Sequence, residues 1–243
     1  MTAAESELRR ETPITTRTLH RERVKVSQNV AVAIAQELRN PVFAIASAAQ
    51  LLRYRVTDDP LVDKNLGRIL READRLNGLV SSLIDYGRPA PLRLTPADPD
   101  DVWAGVVESH RGALESRAIL VRHTPAQPRA LCGVDAEQLE QACSHAFVNA
   151  IEAAREGSDL TITSTTAGDG TWRSQLHNEG PPVPADVLPH VFELLFTTKP
   201  GHAGIGLAVA HRIVSEHGGT IALDSADGIG ATVTLTLPAA HPV

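Results

Sequence analysis

Apolar residues recur at spacings of three and four in two stretches of the N-terminal third of the chain. Between about Arg21 and Val56 the series is Val30, Ile34, Leu38, Val42, Ile45, Ala49 and Leu52. That spacing lays one apolar stripe along a helix. The second series, Leu66, Ile69, Ala73, Leu76, Val80 and Leu83, alternates the two spacings as a heptad seam does. Thr57-Asp58-Asp59-Pro60 separates them; Pro60 disfavours helix at Asp59 and pre-sets the start of the next segment. Two amphipathic helices joined by a short turn form a hairpin. A lone hairpin leaves part of its stripe bare. A second copy would bury it in a four-helix bundle, and packing on the C-terminal part of the same chain is the alternative.

Beyond Gly87-Arg88-Pro89-Ala90-Pro91, which reads as a linker, the pattern changes. Helix-like stretches at 99–116 and 135–156 mix with short alternating runs at Ala118–Arg122, Asp159–Thr165, Thr171–His177, Thr220–Asp224 and Ala231–Leu237. This mixed order predicts an α/β sandwich, with helices on one face of a mixed sheet, so the chain is α+β in class. Residues 1–20 are polar and without period, and are expected to be flexible. The organisation read from the sequence is therefore a flexible start at 1–20, a helical hairpin at 21–88, a linker at 89–92 and a second domain at 93–240.

Composition narrows the function without naming it. The 243 residues are 42% hydrophobic and 21% charged, as in a soluble globular protein. A net charge of −6 and the lack of any Lys/Arg block exclude non-specific nucleic-acid binding as the expected activity. The two cysteines, Cys132 and Cys143, have no metal-ligand spacing. No apolar run approaches the roughly 18 residues of a membrane span, and residues 1–23 have no apolar signal core. A cytoplasmic protein is expected.

Chemistry concentrates in a few segments. His145 and Asn149 lie four apart in the 135–156 stretch and share a helix face. Asn178-Glu-Gly180-Pro-Pro-Val-Pro184 follows a strand. Val191-Phe-Glu-Leu-Leu-Phe196-Thr-Thr-Lys199-Pro comes next, then Gly201-His-Ala-Gly204-Ile-Gly206-Leu207 and a helix. Glycines at a helix start let backbone N–H groups cradle phosphate oxygens. Gly228-Ile-Gly230 precedes the last strand and reads as a tight turn. In the first helix, Gln36-Glu-Leu-Arg39-Asn40-Pro41-Val stands beside a proline that should kink the helix.

Taken in order, the C-terminal segments resemble the ATP-binding domain of sensor histidine kinases, which is related to gyrase and mismatch-repair ATPases, and residues 36–42 resemble the phosphoacceptor box of that family. The phrases Ala46–Leu52 and Asp85-Tyr-Gly-Arg-Pro look closest to its nitrogen-regulation branch. The resemblance covers about nine-tenths of the chain. It implies a dimerising hairpin followed by a Bergerat-type sandwich that binds ATP and Mg²⁺, with a response-regulator receiver domain as partner. Asn149 would hold the Mg²⁺ through its amide oxygen, and His145 stands where the family often has a second Asn. Asn178 stands for the acid that accepts a hydrogen bond from adenine, and Gly180 allows close approach to the base. Phe196 would anchor the segment over the nucleotide, Thr198 flanks Lys199, and Lys199 would face the phosphates together with Gly204, Gly206 and Leu207. In the acceptor box Glu37 would polarise the nucleophile, Arg39 face phosphate and Asn40 orient water. The chain departs from the family where it matters most: Gln36 stands at the acceptor histidine, and a carboxamide is not a nucleophile toward ATP. The resemblance thus implies a histidine-kinase core without autophosphorylation. The alternatives are a response-regulator phosphatase or ATP-gated binding module, a serine kinase of the anti-sigma type, and a dimeric scaffold that binds no nucleotide.

Overall fold

The computed structural model describes residues 13–56, 59–87, 90–199 and 202–240, with side chains from residue 31 onward except Asp85. Residues 1–12 and the expected linker residues Arg88 and Pro89 lie outside the described residues, as do Thr57, Asp58, Pro200 and Gly201. The chain divides into two compact units, one ending at Ala90 and one beginning at Pro91.

The first unit is a helical hairpin. Helix α1 spans Pro13–Arg55 and α2 spans Pro60–Gly87. Helix therefore begins at Pro13, within the stretch expected to lack structure. Pro at a first helical position costs no hydrogen bond, and nothing between it and Arg21 breaks a helix. Helix α1 runs on through Pro41. At the turn, the Asp59 carboxylate accepts hydrogen bonds from the Leu61 and Val62 N–H groups at 2.9 and 3.3 Å and so caps α2. Arg53 and Asp63 pair across the turn at 3.1 Å.

The apolar stripes divide their work. Val42 and Ala49 of α1 are buried with Leu66, Ala73, Val80 and Leu83 of α2. Ile34, Leu38, Ile45 and Leu52, with Ile69 and Leu76, stay exposed, and Phe43 is 69% exposed. Val42, Ile45, Ile69, Ala73 and Leu76, with Arg68 and Glu72, line one open apolar groove. Half of the seam closes the hairpin and the other half remains bare.

The second unit is an α/β sandwich, as expected. Its elements are β1 (Thr95–Ala97), α3 (Pro99–Ser109), α4 (Arg111–Ser116), β2 (Leu120–Thr124), β3 (Cys132–Val134), α5 (Ala136–Ala153), β4 (Asp159–Thr166), β5 (Trp172–Asn178), a 3-10 turn at Leu188–His190, α6 (Gly206–Glu216), β6 (Thr220–Ala226) and β7 (Gly230–Leu237). The main sheet has the order β2-β4-β5-β7-β6; only the β2–β4 pair is parallel. Alternation along β4 and β5 buries Leu160, Ile162, Trp172 and Leu176 on one face and exposes Thr163, Arg173 and Gln175 on the other. Helices α3, α5 and α6 pack side by side, and α5 and α6 contact β5 and β6.

Two features differ from the sequence reading. The 99–116 stretch is two helices, because the chain bends at His110, whose Nδ1 bonds the Val106 carbonyl oxygen at 2.9 Å. A separate β1–β3 ladder pairs Thr95 with Val134. It leads into α5, whose N-cap Asp135 accepts from the Gln138 N–H at 3.2 Å and the Arg93 N–H at 2.9 Å.

Candidate functional site

Along α5, positions 145, 149 and 152 follow at four and three residues and share one face. His145 is half-buried against the start of α6: a Cβ added to Gly206 would sit 3.2 Å from its Nδ1. Burial pushes the His145 pKa down, so the ring is neutral at pH 7. One turn on, the Asn149 amide oxygen accepts from Lys199 Nζ at 3.4 Å. Glu152 Oε2 accepts from the same ammonium at 2.6 Å and lies 3.7 Å from His202 Nδ1. The structure thus brings Asn149 and Lys199 together. Glu152, which the sequence reading passed over, lies between Lys199 and His202. Its signal was its place on the Asn149 face, three residues on.

Asn178 ends β5 and is buried, 4% exposed. Its Oδ1 accepts the Gly180 N–H at 2.9 Å, which orients the amide and leaves the oxygen a second lone pair. Gly180 is where the chain passes the C-terminal end of α5: an added Cβ would lie 2.2 Å from the Ala153 carbonyl oxygen and 2.7 Å from Asn178 Oδ1. The Ala153 carbonyl is backbone and has little room to yield. Gly180→Ala should therefore lose about 1–3 kcal/mol of stability, read as a lower midpoint in a thermal melt.

The segment from Val191 to Gly206 is pinned at both ends. Phe192 lies against the His211 ring of α6, tilted by 34° with centroids 5.5 Å apart, and Phe196 lies 5.5 Å from His190. Leu195 N–H donates to the Gly204 carbonyl oxygen at 2.9 Å. Gly204 has φ +65°, and a Cβ there would meet the Phe196 carbonyl oxygen at 2.3 Å; only glycine fits. Thr197 Oγ1 accepts the Lys199 N–H at 3.1 Å, while Thr198 is exposed. Helix α6 begins at Gly206 with no side-chain cap from Ile205, so its first N–H groups remain available to an anion. Leu207, next along, is half-buried.

These features fit a magnesium nucleotide. The uncapped α6 start can receive phosphate, Asn149 supplies a hard oxygen, and Gly180 keeps a narrow approach open beside Asn178. Among the described residues no group of three His, Cys, Asp or Glu side chains converges on one point. Metal held here would lean on phosphate oxygens and water as well as on Asn149, which is how Mg²⁺ is commonly bound.

In the other unit, Gln36, Glu37, Arg39 and Asn40 are all exposed on α1. Gln36 and Asn40 are one turn apart and share a face.

Residues 134–241 match the family described as histidine kinase-, DNA gyrase B- and HSP90-like ATPases, and residues 28–91 match the His Kinase A (phospho-acceptor) domain. The chain is 34% identical to the sensor histidine kinase ZraS of Klebsiella oxytoca over 91% of its own length and 48% of that protein. It is 32% identical to the sensory histidine kinase/phosphatase NtrB of Rhizobium leguminosarum over 85% of its length and 57% of that protein. It thus spans about half the length of the curated relatives it matches. Full-length ShkA, solved in complex with AMPPNP, superposes with a TM-score of 0.69 at 20% identity, covering 89% of this chain and 47% of ShkA. ThkA in complex with the response regulator TrrA gives 0.67 at 24% identity, covering 90% of this chain and 64% of that one. Among the described residues no helix is long and apolar enough to cross a membrane. A phospho-acceptor-type hairpin followed by an ATPase domain of this kind gives the chain the domain organisation of a histidine-kinase core.

Proposed function

We propose that this core binds Mg-ATP in its second unit, dimerises through its hairpin and signals to a response-regulator receiver domain, without phosphorylating itself. The observation that carries the nucleotide reading is the meeting of Lys199 with Asn149 at 3.4 Å, on the α5 face that also holds His145 against the uncapped start of α6. Asn149 would hold the Mg²⁺ and Lys199 and the α6 N–H groups the phosphates. His145 would border the phosphates, and Asn178 and Gly180 the adenine. Bound Mg-ATP supplies a transferable phosphoryl group whose charge the metal offsets. The chain's own residues orient it: Gly204 and the Phe192 and Phe196 contacts hold Lys199 near the α5 face. ShkA, bound to an ATP analogue, has the same fold and supports this reading.

Isothermal titration with AMPPNP and Mg²⁺ should give one site per chain with a Kd between about 1 µM and 1 mM, the usual span of substrate affinities. The lack of any heat at millimolar nucleotide would refute the reading. Dimerisation rests on the bare half of the hairpin seam. Sedimentation should show a dimer, and Ile45→Glu with Ile69→Glu should shift it toward monomer, since each places a charge where apolar surface is buried.

A second reading is favoured by the acceptor helix itself. Exposed Gln36 and Asn40 share a face beside Glu37. A carboxamide at each position can position water by hydrogen bonds, which suits removal of phosphate from a receiver domain better than its transfer. NtrB is named as both kinase and phosphatase.

A further inference from the structure

Lys199 Nζ lies within hydrogen-bond reach of two oxygens from one helix face, Glu152 Oε2 at 2.6 Å and Asn149 Oδ1 at 3.4 Å. A positive charge held between a carboxylate and an amide oxygen is the arrangement that a hard cation also seeks. The oxygen that would bind metal is therefore already engaged by an ammonium. We infer that Glu152 is the charge partner of whichever cation sits beside Asn149: the Lys199 ammonium without nucleotide, and the divalent metal, directly or through its water, with nucleotide.

The inference rests on the Mg-ATP reading and adds to it a second protein group at the metal. Its physical basis is charge balance. Two cations cannot share Asn149 Oδ1 without repulsion, so entry of the metal displaces Lys199. The phosphates offer the released ammonium a new partner, and Glu152 is left facing the metal. Glu152 holds its place through position alone, three residues beyond Asn149 on α5. His202 Nδ1, 3.7 Å from Glu152 Oε2, flanks the same carboxylate. Glu152 thus has opposite effects on the two states. Without metal it restrains Lys199 from the phosphates, and with metal it strengthens the site.

Glu152→Gln separates these effects. AMPPNP is titrated calorimetrically into the unmodified chain, Glu152→Gln and Glu152→Asp, with Mg²⁺ and with EDTA, and Mn²⁺ binding in the presence of AMPPNP is followed by electron paramagnetic resonance. In the unmodified chain the metal should tighten AMPPNP binding. In Glu152→Gln that gain should fall by roughly ten- to a hundredfold, the loss typical of a charged hydrogen-bonding partner. Its affinity in EDTA should be equal to or higher than that of the unmodified chain, because Lys199 is unclamped. Glu152→Asp should restore part of the metal gain. A Gln variant that keeps the full metal gain reduces Glu152–Lys199 to a solvated ion pair and overturns the inference. Equal weakening with and without metal means that Glu152 only shapes α5, and also overturns it. If the unmodified chain binds AMPPNP in neither condition, the nucleotide reading itself falls, and that result is distinguishable from the other two.

Discussion

The Gln36→His variant should take up label from γ-labelled ATP, and the unmodified chain should take up none. The difference lies in one lone pair. An imidazole nitrogen offers an sp² pair in the ring plane, whereas the nitrogen pair of a carboxamide is delocalised into its carbonyl and does not attack phosphorus. Nothing in the packing opposes the change. Position 36 is exposed on α1, as are Glu37, Arg39 and Asn40, so the substitution should leave the hairpin's melting behaviour unchanged. Glu37 stands next in the chain, where a carboxylate can hold the ring in its reactive tautomer. Label on the variant should be acid-labile and alkali-stable, as a phosphoramidate is, and absent from a further variant with Asn149→Ala. The effect is of the all-or-none kind, because a missing nucleophile is not compensated by the remaining binding groups. Label on the unmodified chain would place an acceptor elsewhere. Label on neither form would leave the kinase reading without support and favour a phosphatase or nucleotide-gated module. The phosphatase reading has its own check. A phosphorylated receiver domain should lose its phosphate faster with the unmodified chain than alone, and Asn40→Ala should abolish the difference.

Much of this was legible in the sequence wherever a pattern was long. The two apolar series needed only their spacing to give a hairpin, and the turn at Asp59-Pro60 carries its own cap. The five-stranded sheet came from runs long enough to alternate. Shorter features were not visible. A three-residue strand such as β1 has too few positions for a period, and its pairing with β3 depends on partners far along the chain, such as Val134 for Thr95. The break between α3 and α4 is made by the His110 side chain bonding back to Val106, a local contact that no propensity reports. At the site, the glycines, Asn149 and Lys199 stood out by order in the chain. Glu152 did not, because a lone glutamate on a helix is ordinarily a solvated surface residue, and only the fold brings Lys199 to it from 47 residues away. The same blindness hid Asp100, which reads as an ordinary acid in the first turn of a helix.

Asp100→Ala should cost the second unit about 2–4 kcal/mol, because it leaves buried donors without their acceptor. Asp100 is 1% exposed, beneath the cap that Asp98 places on α3. Its carboxylate accepts from the Ala126 N–H at 3.0 Å and the Trp172 indole N–H at 3.2 Å, with His123 Nε2 at 3.4 Å. One side chain thereby ties α3 to β5 and to the loop after β2. With alanine the amide and the indole keep no acceptor there, and each unsatisfied buried donor is costly. In a domain of this size the midpoint of thermal unfolding should fall by on the order of 10 °C. The pH dependence identifies the cause. Burial alone would push the Asp100 carboxyl up, but the hydrogen bonds from His123, Ala126 and Trp172 outweigh it and hold its pKa below the usual value of 3.8. A carboxyl with a lowered folded pKa binds protons less readily than its unfolded counterpart. It therefore contributes stability that is fully present above about pH 4 and is lost as pH falls through the folded value. Asp100→Asn keeps an oxygen for one donor but cannot titrate. Its melting midpoint should lie between those of the alanine variant and the unmodified chain at pH 7. Between about pH 4 and pH 2 it should fall less steeply than that of the unmodified chain. Parallel curves for the two proteins would show that Asp100 does not carry the acid sensitivity of this unit.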